Sequence, residues 1–231
     1  MKVKAVLFDF DGTLSTLRDG WEQVMRPMMV ELAHITDAEA AEYIDQSTGI
    51  QTIFQMEWLS KRMENPADPW ALKEEYLRRL MTTVNQRRED ISKGKVSPIQ
   101  YHIKGADDFL AGLHSRGVKL YAASGTDDAD VKYEAELLGF SKYFEAIRGA
   151  GERSRACGKE AVIGELTASL DPASLAVIGD GKVEIELGHR IGARTIGIAN
   201  SETQNRLTQA GADMLVGDFS DLERIYAFLG L

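Results

Sequence analysis

Between residues 118 and 218 the chain repeats one unit: a short apolar run, a polar turn, then a segment of helical periodicity. The runs are VKLYAAS (118–124), AIRGA (146–150), SLAVIGD (174–180), RTIGIA (194–199) and ADMLVGD (212–218), and KVKAVLF at residues 2–8 belongs to the same class. Its second half is apolar on both faces, as in a strand covered on both sides of a parallel sheet. Helical segments between the runs meet Gly117, Gly139, Gly192 and Gly211, the residue type that ends a helix in the left-handed conformation. Strand and helix in strict alternation predict an α/β fold, a doubly wound parallel sheet joined by right-handed crossovers.

Residues 15–98 break the rhythm. They hold all three tryptophans (Trp21, Trp58, Trp70) and six of the eight methionines, with helical periodicity and no strand. The pattern predicts helices near 19–34, 37–47, 50–64 and 70–89, with Pro66 and Pro69 marking a loop. The domain organisation expected is a core of residues 1–14 and 99–231 and an inserted all-helical domain of residues 15–98, hinged at its two ends. The methionine stripes read as packing residues of that insertion.

Composition narrows the function classes. Acidic residues outnumber basic ones by 36 to 27, a formal net charge of −9, which disfavours nucleic acid and anionic membrane surfaces as partners. A single cysteine, Cys157, excludes an internal disulfide and a thiolate zinc cluster, and reads as an inert thiol. The first apolar run is too short for a signal peptide or a membrane span, so a cytoplasmic protein is expected. His34, His102, His114 and His189 lack metal-ligand spacing and read as structural or exposed. Arg153, Arg155 and Lys182 read as solvated charges.

In open α/β sheets ligands bind beyond the carboxyl ends of the strands. Those ends carry Asp9 and Asp11 in DFDGTL, Ser124-Gly125 after the 118–124 run, and Asp180 in GDGKVE. Lys159 opens the helix after the 146–150 run. In this order the four stretches resemble the motifs of the haloacid dehalogenase-like hydrolases, specifically phosphatases with a helical cap. The resemblance implies a Rossmann-like core with a mobile cap and an aspartyl-phosphate mechanism. Asp9 would be the nucleophile, Asp11 the general acid and base, Ser124 and the following backbone N–H groups phosphate donors, and Lys159 the charge on the nucleophile.

A carboxylate attacking a phosphoryl group needs a hard cation to offset their repulsion. The resemblance implies Mg²⁺ held by Asp9, the carbonyl of Phe10, Asp11 and Asp180, with Glu184, which stands where the family more often has Asp, bound directly or through water. In helical-cap relatives a specificity loop lies between two cap helices; here that stretch is QSTGIQT, residues 46–52, with Thr48, Gln51 and Thr52 as hydrogen-bonding groups. Thr48 reads alternatively as a cap on the next helix.

The substrate expected is a small phosphate ester such as a sugar phosphate, and the chain a monomer or homodimer. Two rivals remain: a sugar phosphomutase resembling β-phosphoglucomutase, and a catalytically idle binding protein on the same scaffold. Thr13 stands where those mutases often have Val, and leans toward hydrolysis. The GDGKVE stretch lacks the last glycine of a dinucleotide-binding loop, and no P-loop spacing is present.

Overall fold

The computed structural model describes every residue except Ala156, Cys157 and Glu202, so the reading of Cys157 lies outside the described residues. Six strands form one parallel sheet in the order β3-β2-β1-β4-β5-β6. They are β1 (Ala5–Phe8), β2 (Lys119–Asp127), β3 (Ala146–Ala150), β4 (Leu175–Gly179), β5 (Arg194–Ile198) and β6 (Met214–Val216). The doubly wound α/β fold is therefore as expected. Strand β1 is central, and the chain builds outward from it in both directions, which opens a crevice beyond the tips of β1 and β4.

Alternation along β1 assigns its residues to two layers. Val6 and Phe8 pack with Phe109 and Leu110 of α5 (Ala106–Ser115), Val131 and Ala135 of α6 (Asp128–Leu137), and Ile225 of the C-terminal helix Leu222–Leu229. Ala5 and Leu7 pack on the other face with Val162 and Leu166 of the helix Gly158–Thr167, and with Leu187 of Lys182–Ile191. A strand buried on both faces has to be apolar throughout, which is why these runs were legible.

One boundary moves. Strand β2 runs on to Asp127, beyond the expected end at Ser124, because an irregularity between Ala123 and Asp127 lets Asp127 pair with Ala150 of β3.

Residues between β1 and residue 98 contain four helices and no strand of the sheet: α1 (Trp21–Ala33), α2 (Asp37–Ser47), α3 (Thr52–Ser60) and α4 (Pro69–Ser92). They bury a core of their own from Met25, Met28, Met29, Met56, Leu59, Leu72, Tyr76, Leu80 and Val84, with Tyr43 stacked on Trp58 at 3.7 Å between ring centroids. The methionines are thus packing residues. Thr36 and Glu39 form a reciprocal capping box that starts α2, and Asp68 with Pro69 starts α4. Among the described residues no helix is long and apolar enough to cross a membrane.

Candidate active site

The turn after β1 is built around a single carbonyl. The backbone N–H groups of Leu14 and Ser15 both donate to the oxygen of Phe10, at 2.9 and 3.1 Å, and that side chain is fully buried. This corrects one expectation: with these two N–H groups and a third, from Thr13 at 3.4 Å, on it, the Phe10 carbonyl has no lone pair left for a metal. Among the described residues the carbonyl of Asp11, like those of Gly12 and Thr13, accepts no backbone hydrogen bond, so it is one of the backbone oxygens this turn leaves free. Gly12 at φ 75° makes the turn possible twice over: the angle suits glycine, and a Cβ there would lie 2.3 Å from Asp180 Oδ2.

Strand pairing fixes Asp9. Its N–H donates to the Ile178 carbonyl of β4 at 2.8 Å, holding the tips of β1 and β4 in register. The residue is 6% exposed and Oδ1 lies 2.8 Å from Lys159 Nζ. Lys159, at the first turn of its helix, is 3% exposed; its ammonium also binds Glu184 and donates to the Gly49 carbonyl at 3.0 Å. Burial works against that ammonium, but Asp9 and Glu184 outweigh it and raise its pKa. Asp180 follows β4 and accepts from the Thr13 hydroxyl at 3.3 Å.

Asp11 faces the other way. Its Oδ2 accepts from Ser124 Oγ at 3.2 Å and Thr126 Oγ1 at 2.8 Å, while Ser124 Oγ accepts from the Thr126 N–H. Asp11 thus occupies the hydroxyl expected to serve phosphate. The role of Thr126 was hidden because the strand was expected to stop two residues earlier.

The cluster fits a hard divalent cation. Burial, reinforced by Glu184 and Asp180, pushes Asp9 well above the usual carboxylate range despite Lys159; burial and then Glu184 push Asp180 up to about 7. Glu184 Oε2 is buried without a hydrogen-bond partner. Carboxylates so crowded lack positive charge, and all are oxygen donors of the kind Mg²⁺ takes. The three do not yet converge as a finished cage among the described residues, since Lys159 stands between Asp9 and Glu184.

The loop 46–52 meets this cluster through its backbone. Besides the Gly49 carbonyl on Lys159, a Cβ on Gly49 would sit 2.9 Å from Glu184 Oε1, and one on Gly125 would sit 2.8 Å from the Ile50 carbonyl. Thr48 and Thr52 line the cavity above Asp9 and Asp11, about 430 Å³ in volume; Gln51 is buried beside it and starts α3. The Thr48 hydroxyl donates back to the Ile44 carbonyl at 3.0 Å, so it finishes α2 and does not start the next helix.

The haloacid dehalogenase-like hydrolase family matches residues 3–192, most of the chain. The chain belongs to that family. It is accordingly a hydrolase by family, with the core fold its relatives share. None of the curated protein sequences matches it. Solved structures align over nearly the whole length at low identity. A predicted phosphatase from Clostridium acetobutylicum is 20% identical with a TM-score of 0.64, covering 100% of both chains. The β-phosphoglucomutase of Clostridium difficile is 18% identical at 0.63, covering 99% of this chain and 97% of its own. CbbY from Rhodobacter sphaeroides in complex with xylulose-(1,5)bisphosphate is 17% identical at 0.66, covering 95% and 96%.

Sequence reasoning missed four ion pairs in this haloacid dehalogenase-like fold, two of them at the cavity wall. Lys73 of α4 pairs with Asp127, and Arg206 pairs with Asp45 of α2 while donating to the Asp180 carbonyl at 3.2 Å. Arg155 and Arg153 are exposed, as read from the sequence, and also pair with Glu57 of α3 at 2.6 Å and with Glu74 at 3.3 Å. Each joins residues far apart in sequence, which no local pattern announces.

Proposed function

We propose that the chain is a magnesium-dependent phosphatase of a small phosphorylated metabolite, working through an aspartyl phosphate on Asp9. The observation that carries this reading is the division of labour at one strand tip: Asp9 is held by the Lys159 ammonium, and two residues on Asp11 is held by neutral hydroxyls. A nucleophile needs to be aimed and, with the crowding that raises the Asp9 pKa offset by a bound cation, anionic; a proton carrier needs freedom to take and give a proton.

In the first step an Asp9 oxygen attacks phosphorus and the ester P–O bond breaks, with Asp11 giving its proton to the departing oxygen. In the second, Asp11 takes a proton from water, whose oxygen attacks phosphorus and releases phosphate and the Asp9 carboxylate. Ser124 and the N–H groups after it would donate to the phosphoryl oxygens once Asp11 has turned away. Asp9, the Asp11 carbonyl and Asp180 would hold Mg²⁺, with Glu184 behind them. The ion supplies charge neutralisation between carboxylate and phosphate. Residues 15–98 would act as the cap, closing over the cavity and excluding water.

What supports hydrolysis of a monophosphate over phosphomutase action is the charge of the cavity wall. The cations lining it, Arg18, Lys73 and Arg206, each carry a carboxylate partner in Glu134, Asp127 and Asp45. A mutase must seat a second phosphate, and among the described residues no unneutralised cation awaits one there. An uncharged polyol or similar leaving group suits this wall.

The test is turnover of an aryl phosphate and a panel of sugar monophosphates with Mg²⁺, with and without a sugar bisphosphate. Release of inorganic phosphate independent of bisphosphate is expected. Isomerised phosphosugar, formed only with the bisphosphate, would establish the mutase instead.

A further inference from the structure

Four charged side chains that this chemistry leaves unassigned meet beside Asp11. Arg18 lies on the outgoing connection from the β1 turn to the helical insertion, and Arg88 near the end of α4, on the return. Both end on Glu134 of α6, which is 0% exposed. Arg18 Nε donates to both Glu134 oxygens at 3.0 Å, and Arg88 Nε donates to Oε1 at 3.1 Å. Asp130, one turn earlier on α6, lies 3.3 Å from Arg18 Nη2 and 2.9 Å from Arg88 Nη2. Two guanidinium groups and two carboxylates balance, so Asp11 is not needed to neutralise them.

Yet Arg18 Nε stands 3.9 Å from Asp11 Oδ1, an oxygen that is buried and accepts no hydrogen bond. The other oxygen, Oδ2, is bound by Ser124 and Thr126. When phosphate claims Ser124, the rigidly held guanidinium remains as the fixed charge beside Asp11. Its Nε is hydrogen-bonded to Glu134 and its Nη2 lies within ion-pair distance of Glu134 and Asp130, so two carboxylates hold the charge in place.

We propose that Arg18 is a positioning residue for Asp11, fixed in place by Glu134, and that Arg88 ties this placement to the position of α4. The proposal rests on the reading of Asp11 as the proton carrier. Moving α4 away withdraws Arg88 from Glu134 and loosens Arg18, so Asp11 is well placed only beneath a seated insertion.

The test uses the leaving group. Dinitrophenyl phosphate loses a phenolate that departs unprotonated, whereas an alkyl phosphate needs a proton on its departing oxygen. Arg18→Gln is expected to lower kcat/KM about 10- to 100-fold on the alkyl ester and less than about 3-fold on the dinitrophenyl ester, a part of what a placed acid contributes. Arg18→Lys should recover some of the alkyl-ester loss. Arg88→Gln, outside the cavity, should lose about 3- to 10-fold on the alkyl ester alone, and serves if Arg18→Gln does not fold. Equal losses on both esters in Arg88→Gln or a folded Arg18→Gln, or no loss in either, would make the four charges a plain bracket and overturn the proposal. Asp11→Asn calibrates the assay: a strong alkyl-ester preference in its loss keeps the parent reading, whichever way the arginines fall. Without that preference the reading of Asp11 fails, and this proposal with it.

Discussion

The tips of the strands and the loop 46–52 press on one cluster from opposite sides and by different means. The strands deliver charged side chains, Asp9 and Asp180, fixed by ladder hydrogen bonds and turns. The loop delivers peptide groups: the Gly49 carbonyl on Lys159, and the Ile50 carbonyl packed where a Gly125 side chain would be. Side chains at strand tips carry chemistry that any change of identity destroys. Backbone contacts depend less on side-chain identity, Gly49 excepted, where a Cβ would sit 2.9 Å from Glu184 Oε1.

That contrast predicts a hierarchy of effects. Asp9→Asn should reduce turnover to background, because an amide neither attacks phosphorus nor pairs with Lys159; rates with an aryl phosphate check it. Asp11→Asn should cost ~100- to 10,000-fold on poor leaving groups, with a phosphoenzyme still trappable from a good one. If the loop acted only through its backbone, Gln51→Ala and Thr52→Ala would change nothing. Under the reading of the insertion as a specificity cap they shift relative kcat/KM among natural substrates by about 10-fold at most, comparable to single contacts in a pocket, and leave aryl phosphate hydrolysis unchanged.

The two regions also differ in what holds them. Removing one side of a buried ion pair strands the other, and Glu134→Ala should destabilise the protein by about 3–5 kcal/mol in denaturant titration. The exposed pair Arg153–Glu74 should contribute less than about 1 kcal/mol.

Acidity at the strand tips gives a smaller, signed effect. Asp180 has an ordinary pKa of 3.8 and is pushed up to about 7 in the folded chain. Between those values the folded state holds a proton that the unfolded state has lost, so stability falls as pH rises through that window. The thermal midpoint of metal-free protein should therefore drop from pH 5 to pH 8. Mg²⁺ should raise it more at pH 8 than at pH 5, and an equal rise at both would separate the metal from Asp180.

Legibility in the sequence followed locality. The sheet could be read because a strand covered on both faces must be apolar, and Asp9, Asp11, Ser124 and Asp180 because strand ends in such sheets point at one crevice. Lys159 was legible only through its order among the motifs. Arg18, Arg88 and Glu134 were not, since each is an ordinary charge on a helix or loop until the fold brings positions 18, 88 and 134 together. The Phe10 carbonyl was misread for a related reason: which carbonyl a turn consumes depends on its hydrogen bonds, not on residue type.

The account stands on Asp9 carrying the phosphoryl group. Brief reaction of the enzyme with excess dinitrophenyl phosphate, quenched in acid during turnover and digested, locates any covalent phosphate by mass. A hydroxylamine-sensitive phosphate on the peptide containing Asp9, absent from Asp9→Asn, is the result predicted. Phosphate on another residue, or full turnover by Asp9→Asn without a covalent intermediate, would contradict it.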